Sequence, residues 1–231
     1  MKRFWSEVRV EAGAGGFAIR LDSRPLRTPA KAPCRLPTRA LAREVAAEWA
    51  AVEGAVDPAT MPLTRAANSA IDRVTPEFAA VAAIIAAYGE ADLICYRAPH
   101  PRGLARRQGE AWDPLLAWAD AALGAPLVSV EGVVHVAQSP ESLARLSAAV
   151  RVHDPWELTA LHDLVSISGS LVLGLAVSHG RLDAATAWPL SRIDEDWQIE
   201  EWGEDDEAAA LAGRRRLDFA NAARLLELVR A

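Results

Sequence analysis

Cysteine is scarce in this chain of 231 residues, which contains only Cys34 and Cys95. The two lie far apart, and neither belongs to a closely spaced pair of the kind that binds metal ions. A disulfide framework is therefore not expected, and the sequence fits a reducing compartment.

Long hydrophobic runs are also missing. The amino terminus, MKRFWSEVRVEAG, has no apolar core of signal-peptide length, because alternation with charged residues begins within a few positions. No uninterrupted apolar run approaches the roughly 20 residues of a membrane span, and the most apolar run, Val165–Val177, is short and rich in serine and glycine. We therefore expect a cytoplasmic protein without a targeting peptide and without membrane insertion.

Clustered lysines are absent, and the formal net charge is −6. Since phosphate binding depends on basic patches, nucleic acid is not expected as a partner. The short arginine runs, at 102–107 and 214–216, are interpreted as solvated helix faces.

Nucleotide-binding motifs are missing as well. No GxxxxGK[ST] loop occurs, which argues against a P-loop nucleotidase. The glycines of Gly13–Gly16 precede a predicted strand, whereas a dinucleotide fingerprint precedes a helix amino terminus. This cluster therefore predicts a hairpin turn.

Motifs for catalysis and metal binding are equally weak. The serines at 166, 168 and 170 lie in a predicted helix without the GxSxG turn that exposes a nucleophile, so they are interpreted as small packing residues. His153 and His162, each followed by an aspartate, are nine residues apart, and His153 precedes the helix that contains His162. We therefore predict no catalytic residue, no cofactor, no metal and no enzymatic activity.

The first 37 residues have the alternating pattern of strands. Val8 and Val10 alternate with charges, and after the glycine turn Phe17, Ile19 and Leu21 alternate again. This pattern predicts a small antiparallel β domain over residues 1–37, followed by a helical domain over residues 38–231. The predicted fold class is α+β, mostly α.

Helix start signals follow at regular places in the second part. Thr38 is a predicted N-cap, and Thr75, Ser139 and Asp154 each precede a proline at the first helical position. Glu157 completes a capping box with Asp154, and the helix that follows is expected to continue as a buried element through LVSISGSLVLGLAVS. One exception is the period-two alternation of Pro126–Val136, which predicts a single β-hairpin in the helical domain.

The most unusual stretch is DEDWQIEEWGEDDE, from Asp194 to Glu207. It holds nine carboxylates and two tryptophans without a basic side chain. Removing nine negative charges from a chain of net charge −6 leaves +3, so the acidity of the protein is local. At about 100° per residue, Ile193 and Trp197 form one apolar stripe, while Trp202 lies roughly on the opposite side.

Two interpretations of this helix remain open. In the first, the fold covers both apolar stripes and the carboxylates are merely solvated. In the second, the helix is a docking surface for a basic or amphipathic partner, with a tryptophan as anchor and carboxylates that steer the encounter.

Several motifs together resemble the assembly chaperones that act on the alpha subunit of the F-type ATP synthase head, the family of mitochondrial ATP synthase assembly factor two and its bacterial relatives. They occur in family order over nearly the whole chain. The motifs are KRFW, LDSRPLRTP, LPTRALAREVAAEW, MPLTRAANSAID, ADLICYRAP with RRQGEAWDPLLAW, and SRIDEDWQIEEWG.

This resemblance implies an ATP-independent chaperone that shields the interface of the unassembled alpha subunit until beta subunits replace it. It also implies a small β domain before a helical domain, a bacterial cytoplasmic location and a protein that is monomeric when free. An unassembled ring subunit exposes an apolar interface that would otherwise aggregate.

The resemblance also implies partner-binding residues. Trp49 matches a tryptophan that the family needs for integrity or client handling, and it could equally be a core anchor. Asp194 matches a position where mitochondrial members carry a functional glutamate, and the neighbouring Glu195 could share this role. Gln198, Glu201 and Trp202 complete the predicted patch on the same helix.

Two alternatives belong to other functional classes. One is a small-molecule-binding enzyme with a pocket between the β unit and the helical domain. The other is a scaffold that would remain in the finished complex.

Overall fold

The computed structural model describes residues 2–231, and the chain is mostly helical with an antiparallel sheet near its amino terminus. This confirms the predicted fold class. The chain forms two compact units. The first contains the residues up to Phe78 together with Asp154–Ala160 and Arg224–Ala231, and the second contains Ala79–His153 and Leu161–Ala223.

The sheet of the first unit is built around β2. Its neighbours are β1 on one edge and β3 and β4 on the other, all antiparallel. The ladder of β1 and β2 closes at Gly13 opposite Gly16, which confirms the predicted turn. Gly16 has a φ of 113°, and a Cβ there would lie 2.3 Å from the carbonyl oxygen of Leu36. The strands are β1 Val8–Gly13, β2 Gly16–Leu21, β3 Arg24–Pro25 and β4 Arg35–Leu36.

Helices complete the first unit. The Oγ1 of Thr38 accepts a hydrogen bond from the N–H of Leu41 at 3.2 Å, which confirms the predicted N-cap of α1. The carboxylate of Asp72 accepts from the hydroxyl of Thr28 and the N–H of Ala30, at 2.7 and 3.1 Å, and so fixes the loop after β3. The helical segments are α1 Arg39–Ala50, a 3₁₀ turn at Pro58–Thr60, α2 Pro62–Ser69 and a π-helical turn at Ala70–Val74.

The extent of this unit bears on the domain organisation. Its continuous part reaches Phe78, so α1 and α2 belong to the same compact unit as the sheet. The division into folding domains at residues 1–37 and 38–231 stays a prediction.

The second unit is a helical bundle in which α7 is buried along its whole length. A cluster of buried apolar residues surrounds Trp112, which is fully buried. The elements, some of which extend into the first unit, are α3 Phe78–Ala87, β5 Tyr96–Arg97, α4 Arg102–Leu123, β6 Val130–Glu131, α5 Pro140–Arg151, α6 Pro155–Ser168, α7 Leu171–Ser178, α8 Ala184–Leu190, α9 Ile193–Trp202 and α10 Asp206–Arg230.

Two further predicted helix starts have the expected caps. The Oγ of Ser139 accepts from the N–H of Ser142 at 3.0 Å at the start of α5. At the start of α6, Asp154 accepts from the N–H of Glu157 at 2.9 Å, and the Glu157 carboxylate accepts from the N–H of Asp154 at 3.1 Å. This reciprocal pair is the predicted capping box.

The predicted hairpin at Pro126–Val136 is wrong. Val130 and Glu131 form β6, which pairs in parallel with Tyr96 and Arg97 of β5. The alternation correctly indicated extended backbone, but the partner strand precedes α4 in the chain. Gly132, with a φ of 87°, follows the strand and donates its N–H to the carbonyl of Arg97.

The single long buried helix predicted after Asp154 is divided into α6 and α7. Gly169 has a φ of 74°, which ends α6. The Oγ of Ser170 then caps α7 by accepting from the N–H of Leu173 at 3.0 Å. The fully buried carboxylate of Asp92 also accepts from the N–H of Val172, at 2.9 Å.

Burial of Asp92 predicts an unusual pH dependence. Burial outweighs the hydrogen bonds from Ser170, Val172 and Ile94 and raises the pKa of this carboxyl to about 6. Because the pKa of the folded state exceeds that of the unfolded state, this group contributes most stability below about pH 4 and loses the contribution as pH rises through about 6. A shift of about two units corresponds to about 3 kcal/mol.

We therefore expect the difference in unfolding free energy between the wild type and Asp92→Asn to move in favour of the wild type as pH falls from 7 to 4. Urea unfolding of both proteins across this pH range measures this difference. Because both proteins contain the same other carboxylates, the contributions of those groups cancel in the comparison. A difference that stays constant with pH would contradict the raised pKa.

One helical stretch, Phe78–Cys95, has the length and apolar composition of a membrane span, and about a third of it is buried. It differs from Val165–Val177, which the sequence favoured as the most apolar run. The structure divides the stretch into α3 and 3₁₀ turns at Tyr88–Ala91 and Leu93–Cys95. A single stretch of this kind is weak evidence for a span, since helices of soluble proteins meet the same criterion.

Candidate partner-binding site

The acidic segment forms α9, and its inner face packs on α4. Ile193 is buried, and Trp197 is half-buried against the cluster around Trp112. The approach is close, because a Cβ on Gly103 of α4 would lie 2.7 Å from the Cη2 of Trp197. The indole N–H of Trp112 donates to the carbonyl of Leu190, at 2.8 Å, just before α9 begins.

An arginine of α4 holds the same face of α9 by two interactions. The guanidinium of Arg107 lies 4.9 Å from the ring centroid of Trp197. It also donates two hydrogen bonds of 2.8 Å to the carboxylate of Glu200. These bonds lower the pKa of the Glu200 carboxyl.

Asp194 lies at the edge of this contact. It is half-buried, and its Oδ1 accepts a hydrogen bond of 2.5 Å from the Nε2 of Gln108. The Oε1 of Gln108 accepts from the N–H of Ala98 at 2.7 Å, and the Gln108 side chain is buried. Asp194 therefore satisfies a buried amide and helps to attach α9 to α4.

Two other carboxylates in the first turn of α9, those of Glu195 and Asp196, lie near Arg192, the residue just before the helix. Its guanidinium lies 3.5 Å from the Glu195 carboxylate and 3.7 Å from that of Asp196, and it stacks over Trp188 at 5.5 Å. Partial burial raises the pKa of the Asp196 carboxyl. Acidic side chains at a helix amino terminus also stabilise the helix dipole.

The outer face of α9 collects the five predicted site residues of this helix. At about 100° per residue they lie within an arc of about 120°. Trp202 is 80% exposed, and Glu195, Gln198 and Glu201 are also exposed. The five residues are Asp194, Glu195, Gln198, Glu201 and Trp202.

Several carboxylates near the end of this face have no counter-ion. Within described residues 2–231, no ion pair involves the side chains at 201, 204, 206 and 207. Asp205 instead caps α10 by accepting from the N–H of Ala208 at 2.8 Å. The exposed indole of Trp202 therefore has uncompensated negative charge beside it, from Glu201 on the outer face and from the acidic residues that directly follow α9.

Trp49 does not belong to this face. It lies on α1 in the first unit, is 6% exposed, and packs against Trp5 with ring centroids 5.3 Å apart. Burial keeps it from direct contact with a partner, so its predicted role in partner binding stays a prediction that this placement does not favour.

The candidate catalytic and metal-binding residues have structural partners. The Oγ of Ser168 donates to the carbonyl of Leu164 at 2.6 Å, and Ser170 caps α7. His162 pairs with Asp163 at 2.9 Å. Within the part of the chain that the structure describes, no three His, Cys, Asp or Glu side chains are grouped closely enough to hold a metal ion.

Sequence reasoning missed the α4 residues that hold α9, although they lie within the RRQGEAWDPLLAW motif. A signal was available, because Gln108 interrupts the stripe of Leu104, Trp112 and Leu115 that α4 buries. A polar residue on such a stripe must find a buried partner. The sequence alone could not show that this partner is Asp194.

The profile of the ATP12 chaperone protein family matches residues 2–120. The match covers more than half of the chain. The chain belongs to the ATP12 chaperone family.

Solved structures agree with this assignment. The crystal structure of Atp12 from Paracoccus denitrificans is 53% identical, with a TM-score of 0.95, and the similarity covers 99% of this chain and 98% of that one. A protein from Agrobacterium tumefaciens is 43% identical, with a TM-score of 0.94 and coverage of 98% and 85%. Membership of the ATP12 family makes this chain a chaperone of ATP synthase assembly.

A mutant of P. denitrificans Atp12p is also similar, with a TM-score of 0.95, 53% identity, and coverage of 99% of this chain and 97% of that one. In that mutant one aspartate is replaced by lysine.

Proposed function

We propose that this ATP12-family chaperone binds the unassembled alpha subunit of the F-type ATP synthase head and shields its interface until beta subunits replace it. It acts as a monomer, without ATP and without catalysing a reaction. The outer face of α9 makes the contact, and Trp49 contributes indirectly by stabilising the first unit.

The observation that carries this proposal is the exposure of Trp202 beside uncompensated carboxylates. Leaving an indole in water forgoes the free energy of burying it, and tryptophan is enriched among residues that dominate binding. Negative charge around the indole favours a client surface with basic groups and accelerates encounter. Asp194, Glu195, Gln198 and Glu201 supply charge and hydrogen-bonding groups around this anchor.

Co-expression with the alpha subunit tests the proposal. We expect the wild type to increase the soluble fraction of alpha subunit and to co-purify with it. For Trp202→Ala we expect roughly 30-fold weaker binding, because a central aromatic anchor contributes about 2 kcal/mol or more.

Val152→Ala is the matched control, since Val152 is 76% exposed and lies at the end of α5. Both variants should unfold like the wild type. The proposal would be refuted if the alpha subunit stayed insoluble when co-expressed with the wild type, or if it did not bind the wild type in a pull-down.

A further inference from the structure

The first half of α10 is almost entirely exposed. We define the α10 arm as residues 204–218. None of its residues is buried, only Ala209 and Ala212 are half-buried, and the first buried residue of the helix is Phe219. Most helices in proteins are stabilised by packing of one apolar face, so an exposed arm of this length is unusual.

The arm carries two large apolar side chains that are exposed. Leu211 is 46% exposed and Leu217 is 66% exposed. Only the three residues 203–205 separate Trp202, the exposed anchor at the end of α9, from the first residue of α10, Asp206. Exposed apolar residues that follow one another in this way mark a surface suited to binding another protein.

Basic charge lies between the two leucines. Three consecutive residues, Arg214, Arg215 and Arg216, are exposed. None of them forms an ion pair with another residue of the described range 2–231. Negative charge precedes them at Glu204–Glu207. At a rise of about 1.5 Å per residue, the two clusters lie roughly 13 Å apart along the helix. The arginines are thus free to pair with carboxylates of another molecule.

We propose that the α10 arm is a second docking element for the client, one that binds an apolar strip bordered by carboxylates. At about 100° per residue Leu211 and Leu217 lie about 120° apart around the helix, with Arg214 between them. The two leucines cover the strip, and Arg214, together with Arg215 and Arg216 on either side of this arc, pairs with carboxylates at its border. This inference rests on the proposed function and adds a requirement, because the client must present basic groups to α9 and acidic groups to α10. The need to match charges of both signs provides selectivity against other apolar surfaces.

Size favours the client over a second copy of this chain. The helical part of the arm is about 20 Å long and 10 Å wide, so one face buries only a few hundred Å² per partner. A stable interface buries about 1,200 Å² or more in total, which a pair of arms alone does not reach. Because α10 begins only a few residues after Trp202, a client held by the outer face of α9 lies close enough to contact the arm as well.

Two arm variants of the full chain test the inference, with the alpha subunit as probe. Leu211→Glu with Leu217→Glu removes the apolar contact. Charge reversal to glutamate at Arg214, Arg215 and Arg216 removes the positive charge that pairs with carboxylates of the client. For each we expect at least about tenfold weaker binding of alpha subunit, and the charge reversal should also change how binding depends on salt. If the glutamates disturb folding, Leu211→Ala with Leu217→Ala replaces them.

The matched control carries the same change of charge elsewhere in the second unit, by charge reversal to glutamate at Arg145, Arg151 and Arg181, which are all exposed. It should bind like the wild type. Circular dichroism and thermal unfolding verify that each variant is folded.

The outcomes separate this inference from the proposed function. If the wild type itself does not bind alpha subunit, the proposed function fails. If the wild type binds and Trp202→Ala binds weakly while both arm variants bind like the control, the arm inference is overturned and the proposed function stands. If the arm variants instead convert a dimer to a monomer in sedimentation and leave client binding unchanged, the arm joins two copies of this chain and the inference is again overturned.

Discussion

Replacing Trp112 by alanine is expected to lower the free energy of unfolding by about 3–5 kcal/mol, the range for truncation of a fully buried tryptophan. This indole fills the centre of the second unit, and its N–H donates to the carbonyl of Leu190 at 2.8 Å. The guanidinium of Arg97 lies 5.0 Å from the centroid of its ring. Truncation therefore leaves a cavity, an unpaired carbonyl and an unstacked guanidinium directly beneath α9.

Trp112→Phe is the control that separates packing from hydrogen bonding. It keeps an aromatic ring and removes the N–H, so we expect a smaller loss of about 1–2 kcal/mol. Urea unfolding at neutral pH measures both variants. If alanine and phenylalanine proved equally damaging, the hydrogen bond to Leu190 would outweigh the packing, contrary to the burial of this residue.

The loss of stability in Trp112→Ala should also affect client binding. Since α9 packs on the helix that carries Trp112, Trp112→Ala should weaken client binding at temperatures where the protein remains folded, although Trp112 itself is buried. The comparison with Trp202→Ala is informative, because that variant should lose binding without losing stability.

Local signals were sufficient for much of the fold. A cap needs only a side chain and the next three residues, which is why Thr38, Ser139 and Asp154 marked the starts of α1, α5 and α6 correctly. The glycine turn before β2 is equally local, since it needs positive φ at Gly15 and Gly16 wherever the strands go.

Where the sequence misled, the deciding contact is distant in the chain. The break between α6 and α7 is stabilised by Asp92, which lies before α4, and β6 pairs with a strand that also precedes α4. Alternation identifies residues that favour extended backbone, but it contains no information on which strand they will join.

The candidate site was predictable only in part. The composition of Asp194–Glu207 located α9 and its two apolar sides, but not which of its tryptophans would be buried. The contact of Trp197 with Gly103 settles that question, and it leaves Trp202 exposed. Neither the attachment of Asp194 to Gln108 nor the exposure of the α10 arm follows from residue type, because both depend on how the helices pack.

Asp194→Asn is expected to separate the two roles that this aspartate could have. Asparagine keeps an oxygen that can accept the hydrogen bond from Gln108, so the free energy of unfolding should fall by less than about 1 kcal/mol. Asp194→Ala leaves the buried amide of Gln108 without its acceptor and should cost about 1–3 kcal/mol. Urea unfolding of the two variants provides this comparison.

Client binding then assigns the role of the charge. If the carboxylate steers or contacts a basic client surface, Asp194→Asn should bind alpha subunit more weakly and with less dependence on salt, although its stability is nearly that of the wild type. If Asp194 serves only to attach α9, Asp194→Asn should bind normally and only Asp194→Ala should bind weakly, in proportion to its lost stability. We expect the first result, because Asp194 shares the outer arc of α9 with Glu201 and Trp202 and remains partly exposed.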